Sequence, residues 1–220
     1  MGGPIFMLKS DTLEAPSGAP QATVFMLHGR GADRTDLVPL AEALELSEVR
    51  YCFANAPFAV EGYGPGSQWY AFGPKHAEGV AQSAGLLKAL VARERESWPQ
   101  LPYALMGFSQ GAVMALGAGL LFEPPPAAIV ALSGYLFEPE ALWAKRPQNL
   151  APPAILIVHG TQDPIIPVRA GQAAAAALAG QGFPVQYHEF AMGHQINQVE
   201  IELVRDFLQH TLGLRAGKIQ

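Results

Sequence analysis

The chain has 220 residues, half of them hydrophobic and only 15% charged, with a formal net charge of −5. That balance excludes a disordered chain. It also leaves no block of Lys or Arg for nucleic acid or an anionic membrane surface.

One domain spanning 1–220 is expected, long enough to bury a substantial core. The opening "MGGPIFMLKS" has no basic region ahead of a long apolar stretch, so it does not read as a signal peptide. Gly2 does not mark myristoylation, because Phe6 stands where that motif takes Ser or Thr. No uninterrupted apolar run reaches membrane-spanning length, so no stable membrane insertion and a cytoplasmic location are expected. Residues 5–9 add an amphipathic candidate for an antiparallel edge strand.

The first β-rich run, 23–27 (TVFML), leads into the glycine turn "HGRGAD" and a helical pattern over 36–46. A second apolar run, 49–54, holds the single cysteine, Cys52, which excludes an intrachain disulfide and reads as a buried thiol. Residues 57–75 lack periodicity yet carry Phe58, Tyr63, Trp69, Tyr70 and Phe72. A loop of that length inside a compact domain is usually functional or mobile. Trp69, Tyr70 and Phe72 therefore either line a substrate pocket or pack.

A helical pattern over 78–96 follows, then the strand candidate 103–106, which runs into "GFSQGA" and a small-residue helix over 110–122. Further strands are expected over 128–132, 155–158 and 185–190, with helices over 170–179 and 198–212. Nearly continuous apolar strands alternating with helices predict an α/β fold, with helices on both faces of a mostly parallel sheet. Pro and Gly punctuate the joins, and none is biased enough to be a domain linker.

Gly107-Phe108-Ser109-Gln110-Gly111 has G-x-S-x-G spacing between a strand and a helix. Such an elbow holds a nucleophile at strained backbone angles, and its neighbours must be small. The following helix turns its positive N-terminus toward the serine. By itself the pentapeptide fits a tight turn of small residues equally well.

A serine hydroxyl needs a base within hydrogen-bond reach. His76 and His210 read as surface residues, His188 as part of a strand, His159 as ordering a turn, and His28 as part of the early glycine motif. His194, in "MGHQI", falls between the last strand and the last helix, on the sheet edge where Ser109 lies. For the acid, Asp163 in "HGTQDPIIP" follows a buried strand and either steadies the imidazole or caps the next helix. Glu189 competes but lies inside a strand, and Asp33 and Asp36 precede the serine. Ser109, Asp163 and His194 keep the Ser…Asp…His order.

A tetrahedral oxyanion needs two N–H donors. The residue after the nucleophile, Gln110, supplies one. The glycine turn after the first strand offers Arg30 for the other, or is an ordinary tight turn.

"LHGRGAD", "GFSQGA", "LSG", "HGTQDPIIP" and "GHQI", in that order over most of the chain, resemble the phospholipase/carboxylesterase family of α/β-hydrolases. That family includes small bacterial carboxylesterases and acyl-protein thioesterases. The resemblance implies an α/β-hydrolase without a large cap domain. It implies Ser109 as nucleophile, Asp163 as acid, His194 as base, oxyanion N–H groups at Arg30 and Gln110, and neither metal nor organic cofactor. Arg30 departs from the pattern, which more usually has an apolar residue such as Leu there.

The expected activity is a serine carboxylesterase acting on short- to medium-chain esters, as a monomer or homodimer. Trp69, Tyr70, Phe72 and Ile166 are candidate substrate contacts. An acyl-protein thioesterase or a lysophospholipase shares the same chemistry. A non-catalytic binding protein with this fold would normally show a lost triad member, and none is missing.

Overall fold

The structure is a computed structural model that describes residues 7–60, 62 and 64–214. Strands β1 (Ser10–Leu13), β2 (Ala22–Leu27), β3 (Val49–Ala54), β6 (Tyr103–Phe108), β7 (Ala128–Leu132), β8 (Ala154–Gly160) and β9 (Val185–Phe190) form one sheet in the order β1-β3-β2-β6-β7-β8-β9. β1 is antiparallel to β3, and all other pairs in this sheet are parallel. The short strands β4 (Phe58–Ala59) and β5 (Ser67–Gln68) make a separate antiparallel pair.

Helices α2 (His76–Arg95), α3 (Gln110–Gly119), α4 (Pro139–Lys145) and α5 (Val168–Gly180) cover one face of the sheet. Helices α1 (Val38–Ala43) and α6 (Gln198–Thr211) cover the other. The strand sequences dictate this. In β2, Phe25 and Leu27 enter the first core while Val24 and Met26 enter the second; in β6, Leu105 and Met106 divide the same way. Each such buried side chain contributes roughly 1.5–3 kcal/mol.

The predicted strands over 49–54, 128–132 and 185–190 match, and the others lengthen by one to three residues. The expected helices are present with ends shifted by up to three residues, α1 and α3 being shorter than the expected 36–46 and 110–122. Other features differ from the sequence reading. The edge strand is β1, not 5–9: residues 5 and 6 lie outside the described ones, and 7–9 are not strand. Residues 57–75 contain the β4/β5 pair, where a loop was expected. Helix α4 is too short to show a helical period in the sequence.

Cys52 is fully buried, and burial pushes its thiol up to about 12, consistent with an inert core residue. Among the described residues no helix is long and apolar enough to cross a membrane.

Candidate active site

The parallel sheet brings the C-terminal ends of β2, β6, β8 and β9 to one edge. At the end of β6, Ser109 has φ 56° and ψ −119°, a conformation that costs a non-glycine residue of order 1–3 kcal/mol. Two glycines make this turn feasible. A Cβ on Gly107 would overlap the Gly111 backbone, and one on Gly111 would overlap the Leu27 carbonyl. The chain can therefore pass directly from β6 into α3 only with hydrogen at both positions. The Ser109 N–H donates to Leu132 O at 2.9 Å, and every α3 residue except Gly117 is buried. The packed helix thus holds the strained residue in place.

Asp163 and His194 meet because their loops pack through glycine. A Cβ on Gly160 would overlap the carbonyls of Met192 and Gly193. The Thr161 N–H donates to Phe190 O at 2.8 Å and the Gln162 N–H to Met192 O at 3.1 Å. His194 Nδ1 then lies 2.7 Å from Asp163 Oδ2, whose side chain is fully buried.

The other carboxylate oxygen, Oδ1, accepts from the N–H groups of Ile165 and Ile166 at 2.8 and 2.9 Å. Burial acts to raise the Asp163 pKa, but the bonds from His194, Ile166 and Ile165 outweigh it and hold the carboxyl below its usual range. An ionised Asp163 requires a proton on His194 Nδ1, which leaves Nε2 as the acceptor. Asp163 does not cap α5, whose N-terminus has no side-chain cap.

Ser109 Oγ makes no hydrogen bond to His194 among the described residues. The two are joined through Phe108, whose ring centroid is 4.8 Å from that of His194. A serine–histidine bond is often long until substrate is bound.

The remaining histidines separate by environment. His159 is buried beneath the acid, with Nε2 2.8 Å from Ile166 O and 3.5 Å from Asp163 Oδ2, so it does order that turn. His210 is exposed on α6, as expected, and His188 is half-buried in β9. His76 is not a simple surface residue: it is half-buried, with ring centroids 4.5 Å from Tyr70 and 4.4 Å from Phe137, and burial lowers its pKa. Glu189 is exposed and bonded to Gln172 and Tyr187, whereas His194 pairs with Asp163.

Of the expected substrate contacts, Trp69 and Tyr70 are completely buried and cannot line an open pocket. The Trp69 indole N–H donates to His28 O at 2.9 Å, and the Tyr70 hydroxyl pairs with that of Tyr135 at 3.1 Å. A run of aromatic residues in an aperiodic segment looks the same whether it packs or binds, and of the two readings the structure selects packing for Trp69 and Tyr70. Phe72 is 63% exposed, with the Arg30 guanidinium 5.9 Å from its ring centroid. Ile166 is half-buried, and its backbone serves Asp163 and His159.

The sequence reading missed an apolar cleft of about 320 Å³ beside His194, walled by Leu37, Leu40, Phe108, Ile196 and Ile201. Only Phe108 and Ile196, inside the two motifs, could have signalled it. Among the described residues no cluster of three His, Cys, Asp or Glu is arranged to hold a metal ion.

Residues 8–212 match the Phospholipase/Carboxylesterase family. Acyl-protein thioesterase 1 of Neurospora crassa is 28% identical over 221 residues, covering 90% of this chain and 89% of that protein. The Schizosaccharomyces pombe protein of the same name is 32% identical over 178 residues, covering 74% of this chain and 78% of its own. The crystal structure of esterase PE8 superposes with a TM-score of 0.86 at 30% identity, covering 94% of this chain and all of that one.

Proposed function

The chain belongs to the phospholipase/carboxylesterase family of α/β-hydrolases, a family of esterases and thioesterases, and from that premise we propose that it is a serine carboxylesterase working through an acyl-enzyme. The observation that carries this reading is a strained Ser109 on the same sheet edge as a histidine whose Nδ1 is 2.7 Å from a buried carboxylate.

Ser109 Oγ attacks the ester carbonyl carbon while His194 Nε2 takes the hydroxyl proton. Asp163 stabilises the resulting imidazolium. The carbonyl oxygen becomes an oxyanion held by the N–H groups of Gln110 and Arg30. The Gln110 N–H lies in the first turn of α3, where an N–H has no partner within the helix. As the intermediate collapses, the C–O bond to the alcohol breaks and the alcohol leaves with the proton from His194. Water then attacks the acyl-enzyme, giving its proton to His194, and the acid is released with Ser109 restored.

The cleft beside His194 and the exposed face of Phe72 offer apolar surface for the acyl and alcohol parts of a short- to medium-chain ester. Thioesters are the second reading, favoured by the N. crassa and S. pombe relatives, since the same attack expels a thiol.

The test compares turnover of short aryl esters, long-chain acyl thioesters and lysophospholipids, alongside labelling by a fluorophosphonate. Fastest turnover of the aryl esters, with labelling that disappears in Ser109→Ala, is the expected result. Faster thioester turnover selects the second reading. No hydrolysis of any of the three, or equal labelling of wild type and Ser109→Ala, leaves a binding protein with a hydrolase fold.

A further inference from the structure

The two backbone donors proposed for the oxyanion, at Arg30 and Gln110, lie on turns far apart in sequence, yet a donor pair works only if both stay fixed where charge develops. We propose that Trp69 and His28 are positioning residues for this hole, the middle links of a hydrogen-bonded chain from Gln110 to the Gly29–Arg30 peptide. The proposal rests on the esterase reading above.

The chain starts at the side chain of Gln110. Gln110 is buried, its Oε1 accepts from the Trp69 N–H at 3.0 Å, and its Nε2 donates to Tyr70 O at 3.0 Å. Both partners are backbone groups of fixed polarity, so the amide has one permitted orientation. The nucleophile's helix is thereby bolted to residues 69 and 70. From there the fully buried Trp69 indole N–H donates to His28 O at 2.9 Å. Ser83 Oγ donates to Trp69 O, closing off the remaining backbone group of that residue.

His28 completes the link. Its Nε2 accepts from the Ala56 N–H at 3.0 Å, so the proton is on Nδ1, which is 2.7 Å from Gly29 O. Gly29 O also accepts from the Ala32 N–H at 3.4 Å. In a trans peptide the N–H points opposite to the carbonyl. Fixing Gly29 O therefore fixes the direction of the Arg30 N–H. The turn lies against the nucleophile, because a Cβ on Gly29 would stand 3.4 Å from Ser109 Cβ.

The β4/β5 pair backs the same turn. The Gly31 N–H donates to Ser67 O and the Ser67 N–H to Ala32 O, each at 2.8 Å. The aromatic segment 69–70 is thus the rigid spacer between two donor turns. Buried, satisfied and aimed at backbone rather than substrate, Trp69 has the chemistry of a brace.

Three variants test this: Trp69→Phe, which removes the indole N–H; His28→Asn, which returns an amide donor at the Nδ1 position; and His28→Gln, whose amide reaches only the Nε2 position. Each is assayed for kcat and KM on an aryl ester, for thermal unfolding, and for inhibition by a trifluoromethyl ketone, whose serine adduct carries the oxyanion. Trp69→Phe and His28→Gln are expected to lower kcat about tenfold to a hundredfold with KM little changed, short of the roughly 10²–10³ for deleting a donor outright. The inhibition constant should rise by the same factor, and His28→Asn should regain most of the loss. A purely structural role would lower the melting temperature without moving the inhibitor and kcat together.

Folded Trp69→Phe and His28→Gln within twofold of wild type in both kcat and inhibition overturn the proposal. So does His28→Asn as impaired as His28→Gln. If His28→Gln does not fold, Trp69→Phe decides alone. A wild type that hydrolyses no ester or thioester rejects the esterase reading and this inference with it; an active wild type with unaffected variants rejects the inference only.

Discussion

Asp163→Asn is the substitution whose effect the geometry fixes best. Oδ1 of Asp163 faces two N–H donors, those of Ile165 and Ile166. An asparagine must place its carbonyl oxygen there, since an NH₂ group would face two donors. Its amide nitrogen is then forced to the Oδ2 position, 2.7 Å from His194 Nδ1.

That nitrogen donates, so His194 Nδ1 must accept and the ring proton moves to Nε2, where it cannot receive the serine proton. The expected loss is about 10⁴ in kcat, the size of a wrong-tautomer defect in a Ser–His–Asp triad. At 1.36 kcal/mol per tenfold, this is about 5 kcal/mol of transition-state stabilisation. The fold should survive, because the Ile165 and Ile166 amides keep their acceptor. Asp163→Ala, by contrast, orphans both amides at about 1–3 kcal/mol each. With roughly 2–4 °C per kcal/mol for a domain of this size, the alanine variant should melt clearly below the asparagine one.

Stability against pH supplies an independent sign. The folded pKa of Asp163 lies below its ordinary 3.8, so between those values the unfolded chain binds more protons. Its contribution is therefore complete above 3.8 and is lost as pH falls through the lowered folded value, where wild type and Asp163→Asn should converge. Steady-state kinetics on an aryl ester, with thermal melts from neutral pH into acid, measure all of this. Asp163→Asn folded and within tenfold of wild type in kcat would refute the tautomer argument.

Two further perturbations probe different parts of the molecule. Arg30→Leu removes the Nε contact to Gln68 Oε1 (3.0 Å) and the cation beside Phe72 but leaves the backbone N–H. It should shift acyl or alcohol preference in a substrate panel while preserving catalysis, and a uniform collapse of turnover with intact folding would contradict that. Glu200 is fully buried in the first turn of α6, and burial, partly opposed by the Asn197 backbone, pushes its carboxyl up to about 8. From its ordinary 4.5 up to about 8 the folded state binds more protons, so Glu200 erodes stability as pH rises through that window. Glu200→Gln should raise the melting temperature more at pH 9 than at pH 5; an equal shift at both would remove the buried-carboxyl explanation.

The sequence by itself determined the α/β architecture and the placing of Ser109, Asp163 and His194 at one sheet edge. Strands such as 128–132 are apolar throughout because both faces are covered, and that pattern is local and readable. Ser109, Asp163 and His194 each follow a strand, so a parallel sheet gathers them on one edge whatever the details of packing. Glycines 107 and 111 were legible for the same reason, since an elbow needs them within five residues.

What only the tertiary structure decided depends on contacts between distant segments. Trp69 and Gln110 are 41 residues apart, as are Trp69 and His28, and no local period carries such a pairing. A buried indole and a pocket-lining indole share one sequence signature, and they differ only in what the chain elsewhere places against them. The position of β1 likewise followed from its register on β3, from Ser10 opposite Ala54 to Leu13 opposite Tyr51, because an edge strand is fixed by its partner and not by its own half-exposed residues.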